Sequence, residues 1–342
     1  MKTTTLVDGH GRRVEYLRLS LTERCNLSCS YCVPHELAPQ AADWMSDDEV
    51  VALVQSLVPL GLRRVRLTGG EPTLRPRLPR LVERLAQLGL ADLSLTTNGT
   101  RLAELARPLF VAGLSRINLS LDTLSPVRFA EISGARASLD DVLQGFAAMQ
   151  RAGFAHGKLN TVALHGLNHD ELPQLAKRAW SHGLVPRFIE LMPMSEGRVS
   201  PRERLMPAEE IRTRLRAAFG ALEDCESEVP GVGPARYLRV VGGEHAGRTL
   251  GIIAAVTERF CESCNRIRVS ARGRLHTCLG IDDPAPVAGD ALDLRAALAR
   301  GPDAVRAIVR NAVARKTEGH AFTMSASALV GGPRRHMIVI GG

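Results

Sequence analysis

No stretch of eighteen apolar residues occurs in this chain of 342, so no segment reads as a membrane-spanning helix. The opening MKTTTLVDGHGRRVEY has no apolar core of the kind a secretory signal carries, and the two absences set the expectation of a cytoplasmic protein with no membrane partner. Lysine is scarce, four residues against forty arginines. Aromatic residues make up only 4% of the chain and the arginines form no tract. Both facts argue against a nucleic-acid partner, although the net charge of +8 favours something anionic. No solenoid-type repeat and no low-complexity tract is present. An even set of cysteines is also missing. There are seven, which excludes a complete disulfide framework and points to metal or cluster ligation in a reducing compartment.

What the sequence does contain is a repeated strand-then-helix pattern. Short apolar strands at 13–22, 63–68, 93–97, 116–122, 158–164 and 185–193 alternate with helical segments that begin at Ser46, where Ser46 and Glu49 have capping-box spacing, and recur near 78–89, 101–112, 138–152, 170–182 and 208–219. Six such units predict a parallel sheet with helices outside, as a partial barrel or a doubly wound sheet. In either, ligands bind at the carboxyl ends of the strands. Thr68-Gly69-Gly70-Glu71, Thr97-Asn98-Gly99, Ser120 with Asp122, and Met192 all fall there. Past residue 222 the pattern breaks. EVPGVGPARY (228–237) reads as a linker, followed by strands near 236–241 and 248–256, a hairpin at 265–278, two helices near 290–315 and an apolar C-terminus. The expected division is a core of residues 1–222 and an extension of residues 223–342.

Six of the cysteines form two triads. RCNLSCSYC carries Cys25-x3-Cys29-x2-Cys32, and CESCNRIRVSARGRLHTC carries Cys261-x2-Cys264-x13-Cys278, its ends brought together by a turn at SARGR. Three thiolates on a four-iron cube leave one iron open to a small-molecule ligand. Zinc is the alternative at each triad, with His276 available as a fourth ligand at the second. Tyr31 stands beside the first triad, where its ring could pack on an adenine. Arg266 and Arg268 alternate beside the second triad and so share one strand face, an arrangement suited to an anion or a nucleotide. Cys225 belongs to no motif and reads as a plain free thiol.

The C-x3-C-x2-C loop after the first strand, with GGEP after the second, resembles the radical S-adenosylmethionine superfamily. The full ordered set of two triads, RLTGGEP, FIELMP, CNRIR and a terminal Gly341-Gly342 resembles the GTP 3′,8-cyclases of molybdenum cofactor biosynthesis, over essentially the whole chain. That resemblance implies a partial parallel (βα)6 TIM-like barrel with a C-terminal α+β extension, and two [4Fe–4S] clusters, on Cys25, Cys29 and Cys32 and on Cys261, Cys264 and Cys278. It implies S-adenosylmethionine around Tyr31, Gly70, Ser120 and Met192. It implies GTP at Arg18, Arg66, Thr97, Lys158, Arg187, Arg266, Ile267 and Arg268, with Arg18, Gly341 and Gly342 as catalytic positions. The implied reaction is removal of the ribose 3′ hydrogen by a 5′-deoxyadenosyl radical and attack on guanine C8, giving (8S)-3′,8-cyclo-7,8-dihydroguanosine 5′-triphosphate. An electron donor and a downstream cyclic pyranopterin monophosphate synthase are the implied partners, and a homodimer stays open. His165 departs from the family pattern, standing where a lysine or arginine is expected. Two rivals stand beside this reading. One is a peptide-modifying radical enzyme, disfavoured because no separate N-terminal peptide-recognition domain is apparent. The other is a zinc-stapled nucleic-acid-binding protein.

Overall fold

The strands of the core alternate polar and apolar residues, and the two sets go to opposite sides of the sheet. In β1 (Tyr16–Ser20) Leu17 and Leu19 are fully buried in the main hydrophobic core, whereas Tyr16 and Arg18 line a central cavity. The same alternation recurs in β2 (Arg64–Thr68), β3 (Asp92–Thr97), β4 (Arg116–Ser120), β5 (Gly157–Ala163) and β6 (Leu184–Glu190). The computed structural model describes residues 5–32, 43–194, 199–226, 233–281, 292–320, 322–324, 329–330 and 337–340.

All neighbouring pairs from β1 to β6 are parallel, and their spatial order is their order in the chain. A doubly wound sheet reverses its strand order at a switch point, so the unbroken order selects the partial barrel. Outside it lie α1 (Asp47–Leu57), α2 (Leu78–Ala86), α3 (Leu102–Val111), α4 (Pro126–Ser133), α5 (Leu139–Ala152) and α6 (Leu172–Ser181). Their ends follow local chemistry. Ser46 with Glu49, and Ser138 with Asp141, form reciprocal capping boxes at α1 and α5, and α5 stops at Gly153, whose φ of 99° suits a residue without Cβ.

Later strands among the described residues join the same sheet. After the short α7 (Pro201–Arg204) and α8 (Ala208–Phe219), β7 (Leu222–Cys225), β8 (Arg236–Val240) and β9 (Thr249–Ile253) form a meander whose last strand pairs parallel with β6. Strand β10 (Arg266–Val269) then pairs parallel with β1 on the opposite edge, and the hairpin strand β11 (Leu275–His276) follows it. One eleven-stranded sheet results, so the expected boundary at residue 222 falls within a continuous hydrogen-bonded surface. Helices α9 (Leu294–Leu298) and α10 (Pro302–Ala314) pack on α1. Residues 228–232 of the expected linker, and Gly341 and Gly342, lie outside the described residues. Among the described residues no helix is long and apolar enough to cross a membrane.

Candidate active site

A filled barrel packs its interior with layers of branched apolar side chains. This one carries cations instead. Register places Arg18 beside Arg66 on one side and Arg268 on the other, all three buried, and Arg187 and Arg266 join them in lining a cavity of about 290 Å³. Arg116 is matched by Asp92 through two bonds of 2.8 and 2.5 Å. Arg187 donates twice to the Asn160 side-chain oxygen, at 2.9 and 2.6 Å, which fixes its guanidinium toward the cavity. Burial, together with neighbouring arginines, pushes Arg187 and Arg268 down to about 10 and Arg18 well below its ordinary value. So much like charge in one enclosed space favours an anionic ligand.

Above the strand ends, the first triad sits on the loop after β1 and is tied to three further loops. Gly70 N–H donates to the Thr22 carbonyl and Glu71 N–H to the Arg24 carbonyl, both at 2.7 Å. A Cβ built on Gly70 would stand 2.2 Å from the Arg24 oxygen, so the glycine is required by the packing of the GGEP loop on the cysteine loop. Buried Glu71 accepts from Thr73 N–H (3.0 Å), the Thr73 hydroxyl (2.6 Å), the Thr97 hydroxyl (2.7 Å) and Asn98 N–H (2.8 Å). Asn98 in turn donates to Asn26, at 2.9 Å. The Tyr31 hydroxyl donates to Asp122 (2.7 Å), whose other oxygen accepts from Val162 N–H (2.8 Å) and whose acidity burial weakens to about 6. Neither Glu71 nor Asp122 was assigned a role from sequence, although both stand at strand ends.

The second triad closes the other end of the same cavity. Arg12, from the N-terminal segment, donates to the carbonyls of Cys261 (2.7 Å), Thr317 (2.6 Å) and Glu318 (2.5 Å) and pairs with Asp8 (2.6 Å). It thereby binds the 316–320 segment over Cys261. Lys316, only 3% exposed, donates to the Thr277 carbonyl and hydrogen-bonds the Cys264 sulfur. Sequence reasoning missed both Arg12 and Lys316, because what identifies them is burial and not motif.

The thiols fit cluster ligation. Burial pushes Cys25 up to about 11, Cys32 up to about 12 and Cys29 well above the ordinary thiol range, with Asp122 adding to the effect at Cys29 and Cys32. Such thiols become ligands when a bound metal supplies positive charge. At Cys264 burial also acts upward, but Lys316 and Arg266 outweigh it and the thiol is lowered. Among the described residues no three His, Cys, Asp or Glu side chains converge as one metal ion requires, and all six triad thiols line the cavity.

Arg18, Tyr31, Arg66, Gly70, Thr97, Ser120, Arg187, Met192, Arg266 and Arg268 line it with them. Three expected positions do not. Ile267 turns to the far side of β10 into the hydrophobic core, as strand alternation demands. Lys158, 1% exposed, faces the Tyr237 ring at 5.8 Å, and burial with Arg187, Arg116 and Arg66 pushes it down to about 6. His165 is exposed, stacked on His169 with centroids 5.3 Å apart, and its Nδ1 lies 3.3 Å from Glu210. Cys225 packs beside Val185 and Tyr237, away from both triads.

Comparison with known proteins gives two family matches, the Radical SAM superfamily over residues 19–179 and Molybdenum Cofactor Synthesis C over residues 185–322. A GTP 3′,8-cyclase 1 of Pseudomonas aeruginosa is 40% identical over 333 residues, spanning 96% of this chain and 97% of that protein. A GTP 3′,8-cyclase of Bradyrhizobium diazoefficiens is 39% identical, over 99% of this chain and 96% of that one. Among solved structures, Streptococcus suis SuiB bound to S-adenosylmethionine superposes with a TM-score of 0.60 at 14% identity, over 83% of this chain and 66% of that longer one. SuiB bound to its precursor peptide SuiA gives 0.62 at 13%, over 84% and 65%. At such identities the likeness is one of fold.

Proposed function

Since the chain belongs to the GTP 3′,8-cyclase family of radical S-adenosylmethionine enzymes, we propose that it converts GTP to (8S)-3′,8-cyclo-7,8-dihydroguanosine 5′-triphosphate, the first step of molybdenum cofactor biosynthesis. The observation that carries this reading is one cavity with a cysteine triad at each end and buried arginines between them. Cys25, Cys29 and Cys32 would hold one [4Fe–4S] cluster with S-adenosylmethionine against Tyr31, Gly70, Ser120 and Met192, and Cys261, Cys264 and Cys278 a second. When bound, the first cluster with S-adenosylmethionine supplies the 5′-deoxyadenosyl radical that takes the ribose 3′ hydrogen.

The chain's own residues would bind and orient the substrate. Arg18, Arg66, Arg187 and Arg268 offer planar forks to the triphosphate, and Arg18, flanked by two of them in register, is the one best placed to fix its position. Lys158 would add a charge from behind this layer. Thr97 lends support through its bond to Glu71, while Arg266 and the Ile267 backbone meet the base beside the second triad. The apolar walls formed by Leu27, Val162, Ile189, Ile253 and Phe260 exclude water from a site where a carbon radical must meet C8 and nothing else. Gly341 and Gly342 would complete the site from the tail. An electron donor and a downstream cyclic pyranopterin monophosphate synthase complete the proposed setting, and residues 1–222 and 223–342 would each contribute one cluster.

The test is anaerobic turnover of the reconstituted protein with GTP and S-adenosylmethionine, followed by mass analysis. The expected products are 5′-deoxyadenosine and a cyclised isomer of GTP, equal to it in mass because the hydrogen lost from C3′ is replaced by one electron and one proton on the guanine ring, and separated from it by chromatography. Formation of 5′-deoxyadenosine with no change in GTP would overturn the substrate assignment.

A further inference from the structure

The two triads use the same donor set in opposite electrostatic surroundings. The first faces carboxylates, Asp122 toward Cys29 and Cys32 and Glu71 toward Cys25, with Arg136 as the nearby cation at Cys25. The second faces cations, Lys316 and Arg266 at Cys264 and Arg12 at Cys261. Of these, Lys316 is the most deeply buried. It stands just past the end of α10, its N–H donates to the Val313 carbonyl at 3.0 Å, and its ammonium is clamped between the Thr277 carbonyl and the Cys264 sulfur. The segment that carries it lies directly on the triad, since a Cβ on Gly319 would come within 3.3 Å of the Cys261 sulfur.

A reduced cluster carries one more negative charge than its oxidised form, so a fixed ammonium hydrogen-bonded to a ligand sulfur stabilises the reduced form more. We infer that Lys316 is a positioning residue that makes the reduction potential of the second cluster less negative than it would be without this charge. The inference rests on the two-cluster reading above, and its test separates the two.

In a full-length background with Cys25, Cys29 and Cys32 replaced by alanine, the second cluster is reconstituted and its midpoint potential is measured by redox titration followed by electron paramagnetic resonance. Lys316→Gln keeps a donor for Thr277 but removes the charge. It should shift the reduction equilibrium at least tenfold toward the oxidised form, 59 mV for one electron, as should Lys316→Met, whereas Lys316→Arg should stay near the parent value. A loaded Lys316→Gln variant with the parent potential overturns the inference. If both neutral variants lose iron while Lys316→Arg keeps it, the charge serves assembly of the cluster and not its potential, and the inference falls. If Lys316→Arg loses iron as well, Lys316 is a structural peg and the inference falls. A parent with no four-iron signal removes the two-cluster reading itself, and the inference with it.

Discussion

Glu71 is the point on which three rim loops hang, and replacing it by glutamine tests whether they hang on a carboxylate. Its two oxygens receive four hydrogen bonds and donate none, and two of the four donors are the backbone N–H groups of Thr73 and Asn98. The Thr73 and Thr97 hydroxyls can turn and accept from an amide, but the backbone groups cannot. Whichever way the glutamine is placed, its single oxygen serves one backbone N–H and its NH2 faces the other. One charge-assisted bond, about 1.5–3 kcal/mol, is replaced by a buried unsatisfied donor that costs about 1–3 kcal/mol. Part of this is relieved by loop movement, so a destabilisation of about 2–4 kcal/mol is expected for Glu71→Gln. The assay is denaturant unfolding of the metal-free protein near pH 8, with iron content of the reconstituted variant measured alongside. Burial raises the acid's pKa above its ordinary value, so this group's contribution to stability declines as pH climbs from the unfolded value through the folded one. An unchanged midpoint at pH 8 with full iron loading would show that Glu71 is a neutral acid there and that the loops are held otherwise.

Gly70→Ala should displace the cysteine loop through its contact with the Arg24 carbonyl and lower the iron bound after reconstitution; loading equal to the parent, counted by iron and sulfide analysis, would refute the packing argument. Lys158, down at about 6 in the folded state, binds a proton in the unfolded chain up to an ordinary lysine value, so metal-free stability should rise with pH above about 6, by at most about 1.4 kcal/mol per unit. Lys158→Met should flatten that slope, and GTP binding to the parent should take up a proton, measured by calorimetry in buffers of different ionisation heat. Arg268→Ala should weaken GTP binding roughly tenfold or more with cluster content unchanged, since a guanidinium bond contributes about 1.5–3 kcal/mol; equilibrium titration of the reconstituted variant checks it.

The sequence disclosed most of what depends on local pattern. The six core strands and the helices after them were legible because their apolar residues recur at the periods of two and 3.6 that burial imposes. Barrel and doubly wound sheet share that pattern, and only strand pairing, β1 beside β2 through to β6, separates them. Helix α4 went unread although Ser125 and Pro126 are an N-cap and a favoured first residue, because eight residues give little periodicity. The edge strand β7, Leu-Glu-Asp-Cys, has almost no strand propensity and is held by pairing with β8. At the site, triad spacing was visible, but Arg12 and Lys316 look like two more surface cations until long-range folding buries them.

Both outer edges of the six parallel strands are covered by strands made late, β9 on β6 and β10 on β1. The first barrel strand to leave the ribosome therefore waits for a partner from the far end of the chain. Until it arrives, the nascent polypeptide carries unpaired N–H and C=O groups along two open edges, which are templates for association with other chains. High contact order of this kind slows folding and lengthens that exposure. Chains terminated before β10 should accumulate as aggregates and not as small folded barrels, so the part that brings the second triad also gives the first strand its solubility.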